Sequence, residues 1–146
     1  MHGEIPALLG CGFGLLMLTL VSIVGLVIGV FVCYQLYLTA GALPEGDRKL
    51  APASVFLLLV PVVNVIWLFF VVLRLSEGYR QYFAAHPRVG VGDCGQMLGI
   101  GWAVATAAIF LPLLHVLAPL AALVLMVLYL VKMSDLRGLL TRPPEA

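Results

Sequence analysis

Ionised side chains are scarce in this sequence: only 10% of its 146 residues are Asp, Glu, Lys or Arg, against about 25% in a soluble domain. So few charges cannot cover a water-facing surface. The net charge of +1, with no run of Lys or Arg, excludes nucleic acid as a partner. Met1 to Gly10 holds no Lys or Arg, so the basic region of a secretory signal is missing, and the apolar stretch after it is longer than such a signal uses.

Chemistry-bearing patterns are equally sparse. The three cysteines, Cys11, Cys33 and Cys94, form no CxxC pair and no metal spacing. Cys11 and Cys33 lie in apolar segments and read as small hydrophobes. Cys94 lies in a polar connection and is the better candidate for a reactive thiol of the three, with nothing beside it to mark it as activated. There is no HExxH, no GxSxG and no P-loop. These absences argue against an enzyme, and neither a cofactor nor a metal is expected. A membrane enzyme working on lipid through Asp93 and His86 is the weakest reading, because no paired acid and base is visible.

What remains is oil-like. The chain is 63% hydrophobic, with a mean hydropathy of +1.14. A helix crosses the hydrocarbon core with about 20 apolar residues. The patterning predicts spans over 8–38, 51–73, 94–114 and 117–133. Gly41, Pro44 and Gly46 end the first in a short polar loop. Pro52 suits the opening turn of the second, and Arg74 closes it. Residues 74–86 continue as an amphipathic segment at the headgroups, with Leu75, Tyr79, Tyr82 and Phe83 on one face. Pro87 breaks it. Asp93, three residues before Gln96, starts the next helix. Residues 97–131 are too long for one span and somewhat short for two. Pro112, His115 and Pro119 favour a hairpin there, the alternative being a single kinked helix.

The expected fold is therefore all-α: a polytopic membrane protein, a four-helix transmembrane bundle with both termini cytoplasmic. The sidedness follows from Lys and Arg, which collect on the cytoplasmic face. Arg74, Arg80, Arg88, Lys132, Arg137 and Arg142 fall on one side of that scheme, Arg48 and Lys49 on the other.

Within the spans no Asp, Glu or Arg is found, and the one Lys, Lys132, lies at the very end of the last. Proton-coupled carriers depend on such groups. Small four-helix multidrug exporters, of similar size, depend on an embedded glutamate that no residue here matches. A haem carrier needs paired axial ligands, and His115 stands alone. Pro61, Asn64 and Trp67 form the candidate intramembrane site: all three project to one side near the centre of the second span. Asn64 there reads as a clamp between helices at a proline kink, or as the lining of a path. Small residues mark close packing. Gly25 and Gly29 form a GxxxG in the first span, and Gly95 and Gly99 lead a stripe in the third. They read as packing within the chain, or as a dimer face.

The segment P-V-V-N-V-I-W-L-F-F-V-V-L-R-L-S, Pro61 to Ser76, resembles a helix of uncharacterised small multi-pass bacterial membrane proteins, with a P-x-x-N-x-x-W pattern and a basic-Ser end. V-G-D-C-G, Val91 to Gly95, is similar to the same group. The resemblance implies a multi-pass chain in a bacterial inner membrane and carries no activity. The function expected is that of a non-enzymatic structural or accessory component acting through helix–helix contacts. Its partners are the lipid bilayer and either a second copy or another membrane protein. The alternative is a small oligomeric transporter or channel with Asn64 lining the path.

Overall fold

The computed structural model describes residues 4–60, 63–88, 90–114 and 116–141, with side chains from Gly12 onward. Every regular element among these residues is helical: α1 (Glu4–Ala42), a 3-10 helix (Pro52–Leu59), α2 (Asn64–Ala85), α3 (Gln96–Ala108) and α4 (Leu117–Thr141). By length and composition two of them can cross a membrane, α1 from Gly12 to Ala42 and α4.

α1 is long because nothing in its sequence interrupts it between Pro6 and Pro44. Its Ser and Thr hydroxyls are satisfied within the helix. Those of Thr19, Ser22 and Thr39 donate to the carbonyl four residues earlier at 2.8, 2.8 and 2.7 Å, a bond that removes their cost in an apolar setting. Pro44 cannot continue a helix. The Arg48 guanidinium then folds back to donate to the Gly41 and Leu43 carbonyls at 3.2 and 2.9 Å. It thereby supplies a cation to the negative end of the helix dipole.

The second apolar run, expected over 51–73, is not one continuous helix. Its first part is the 3-10 helix, opened by Pro52 at its first turn. Val60 is extended, with φ −86° and ψ 111°, because a following proline disfavours the helical region for the residue before it. Pro61, the residue responsible, lies with Val62 outside the described residues. Beyond the break the chain returns. Cys33 Sγ sits 3.7 Å from the Val55 carbonyl, and Leu59 packs against Gly29. The 3-10 leg therefore descends along α1 from its C-terminal end. α2 climbs back: Trp67 Nε1 donates to the Ser54 carbonyl at 2.8 Å, Gly78 rests on Leu43 and Asp47, and the Tyr79 hydroxyl donates to the Thr39 carbonyl at 2.9 Å.

The third run also folds back on itself, as α3 and α4 joined by a turn. Gly101 faces Leu125 and Gly95 faces Met133, while the Trp102 and Tyr129 rings lie 5.7 Å apart. Phe110, Leu111, Leu113 and Leu114 are exposed at the turn; His115 lies outside the described residues. The C-terminal part of α4 returns to the same end as α2, where the charge of Arg137 acts on Tyr79. α1 therefore begins at one end of the molecule and α4 finishes at the other. The 3-10 leg and α2 run in opposite directions along α1, which sets the order of the ends.

The core lies at the end where the loops and charges collect. Leu36 and Ala40 of α1, Val71, Val72, Leu75 and Tyr79 of α2, Ala103 of α3, and Tyr129, Met133 and Leu136 of α4 are all buried in it. The face of residues 74–86 expected to meet headgroups is turned inward instead. Leu75, Tyr79 and Phe83 are buried, while Arg74, Glu77, Arg80 and Gln81 are exposed. An apolar stripe that finds helices to pack against has no need of lipid. Away from the core α1 stands alone, with only 6% of its most apolar window buried.

Candidate functional site

Of the three residues expected to share an intramembrane site, the structure describes two. Asn64 opens α2, half-buried, and its backbone N–H donates to the Val60 carbonyl at 2.9 Å across the break. Trp67 lies one turn on. Its ring stacks on Phe70, centroids 4.8 Å apart, and its indole N–H ties α2 to the 3-10 leg at Ser54. Asn64 thus stands at the turn of a hairpin, where the ends of two helices leave backbone groups without intrahelical partners. Trp67 clasps the two legs just inside it. Pro61 lies outside the described residues.

The two glycine pairs occupy unlike settings. A Cβ on Gly25 would meet nothing within 4 Å, and one on Gly29 would make ordinary contact with Leu59 at 3.5 Å. Gly99 is held between α2 and α4: a Cβ there would overlap Val72 Cγ1 and come within 2.8 Å of the Tyr129 ring. Gly95 has φ +75° and lies under Met133, whose Cε would be 2.9 Å from a Cβ. Only glycine suits that combination of backbone and space.

The loop before α3 carries further features. Asp93 accepts hydrogen bonds from the Gly95 and Met97 backbone N–H groups at 3.1 and 2.8 Å, serving the unpartnered donors of the helix start. Cys94 has φ 54°, the positive value of a non-glycine residue among those described, and its side chain is buried. Burial pushes its thiol above the ordinary range, and the neighbouring Asp93 carboxylate adds to this. The thiol therefore stays protonated at neutral pH, the opposite of what a reactive cysteine requires. Lys132 Nζ donates to the Gly90 carbonyl at 3.2 Å and fastens the loop to α4.

Sequence reasoning missed one polar pair. Ser76 and Tyr129 are both buried, and their hydroxyls face each other between α2 and α4. Neither completes a hydrogen bond of ordinary geometry. The signal was present: Ser76 lies between Val72 and Tyr79 on the buried face of α2, where apolar residues are otherwise the rule. Among the described residues no group of three or more His, Cys, Asp or Glu is placed to hold a metal ion.

No protein-family model, curated protein or solved structure matches this chain.

Proposed function

We propose that this chain is a non-enzymatic membrane component that works by packing its first helix against a helix of another membrane chain, either a second copy or a different protein. The observation that supports the reading is the isolation of α1. Residues 12–28 are exposed on every side, although the helix is continuous with the part that packs against the 3-10 leg. Helices associate in lipid through close backbone approach at small residues. Gly14, Ser22 and Gly25 supply that surface beyond the point where Leu59 covers Gly29. The likeness of Pro61 to Ser76 to small multi-pass bacterial membrane proteins supports a place in a bacterial inner membrane.

The test is made in the native membrane. A photoreactive residue at Val24 is expected to cross-link to a second chain, and the protein is expected to leave mild detergent at more than monomer mass. Gly25→Leu, which meets no neighbour within the chain, is expected to abolish the cross-link without lowering the amount of protein. A monomer with no cross-linked partner would sink the proposal.

A further inference from the structure

We propose that residues 51–73 form a re-entrant hairpin, which enters and leaves the bilayer through its cytoplasmic face, so that the start of α1 and the end of α4 lie on opposite faces. The inference rests on the chain residing in a membrane, and is independent of whether α1 has a partner.

Leg length comes first. The 3-10 helix of 8 residues at about 2.0 Å per residue is roughly 16 Å long. The apolar part of α2, residues 64–73, at about 1.5 Å per residue rises roughly 15 Å. Each is near half of the ~30 Å hydrocarbon core. A crossing would need both legs in line, and the Trp67–Ser54 bond holds them side by side.

The flanks of the hairpin give the second argument. A crossing segment would set residues 43–50 and 75–79 a full membrane apart, about 30 Å or more. They are in contact: a Cβ on Gly78 would lie 3.0 Å from both the Asp47 carbonyl and Leu43 Cδ1. The loop before the hairpin and the helix after it share one surface.

Charge supplies the third. The chain has 8 Lys and Arg. Arg48, Lys49, Arg74, Arg80, Arg88, Lys132 and Arg137 all belong to the end where the hairpin opens, and Arg142 follows α4 in sequence. None precedes Arg48. A crossing over 51–73 would strand Arg48 and Lys49 on the other side. The re-entrant path places every described cation on the face that collects them. It also places irregular backbone at membrane depth, which is tolerated where protein covers it. Leu59 on Gly29 and Trp67 on Ser54 provide that cover. The exposed Leu57, Val60, Val63 and Ile66 face acyl chains of the leaflet the hairpin enters.

The experiment is cysteine mapping with a membrane-impermeant maleimide, in a full-length chain whose Cys11, Cys33 and Cys94 are alanine. Glu45→Cys and Ala85→Cys are expected to react in inverted vesicles and not in intact cells. Lys49→Cys and Glu77→Cys form a second pair with the same expectation. Labelling of Glu45→Cys or Lys49→Cys from outside overturns the proposal. If the cysteine-free chain fails to accumulate, a reporter active only outside the cytoplasm is inserted at Gly46 or at His86 of the otherwise native chain. Inactivity at both positions supports the hairpin, and activity at either one overturns it. Release of every variant by an alkaline wash would remove the membrane premise itself.

Discussion

Gly25 and Gly99 look alike in the sequence, each set among apolar residues with a small residue four positions away. Their surroundings differ completely. Val72 and Tyr129, which crowd Gly99, are both fully buried and have no room to withdraw. Gly99→Ala forces one of them off its rotamer, and overpacking of this kind costs about 1–3 kcal/mol. A thermal unfolding midpoint in detergent is expected to fall clearly for Gly99→Ala and to stay unchanged for Gly25→Ala. Equal midpoints would show that α2, α3 and α4 do not pack as described. Spacing by four identifies a small-residue stripe; it does not say which stripe faces a neighbour. That depends on which way the chain turns after Pro61, information no local window contains.

At the scale of elements, the 3-10 leg and α2 are where the sequence marks the ends of the pieces and leaves their direction open. Pro52 and Pro61 mark the ends of the short leg, and the extended Val60 follows from Pro61. Hydropathy over 51–73 satisfies a crossing helix equally well, since an apolar run has no direction. What decides the reversal is a contact between Ser54 and Trp67, thirteen residues apart, together with Tyr79 reaching Thr39 across forty. Amphipathic spacing of Leu75, Tyr79 and Phe83 was legible as a face, but not the surface it would meet. Trp67→Phe keeps an aromatic ring against Phe70 and removes the donor to the Ser54 carbonyl. The loss is about 0.5–1.5 kcal/mol, which corresponds to up to about tenfold faster local opening. Hydrogen exchange over residues 52–59 is expected to accelerate by that factor while α4 exchanges as before. Unaltered exchange in the 3-10 leg would mean the clasp does not hold the hairpin closed.

For the whole molecule, the distribution of cations separates two arrangements that composition treats as equal. If residues 51–73 crossed, the start of α1 would share the cytoplasmic side with the C-terminus, and further cations there would reinforce an orientation already set. If they turn back, α1 must send its N-terminal end to the far side, and cations placed there oppose that passage. His2→Lys, Gly3→Lys and Glu4→Lys together reverse the local side-chain charge and leave every residue from Gly12 onward unchanged. The re-entrant fold predicts a several-fold drop in correctly inserted protein and a tag at the N-terminus that becomes accessible from the cytoplasmic face. The crossing arrangement predicts no loss. Quantifying the tag in intact cells and inverted vesicles distinguishes them, and an undiminished yield with unchanged tag exposure would refute the re-entrant hairpin. Residues 1–47 hold no Lys or Arg, so the three added lysines are the only side-chain cations in that stretch and their effect is readable directly.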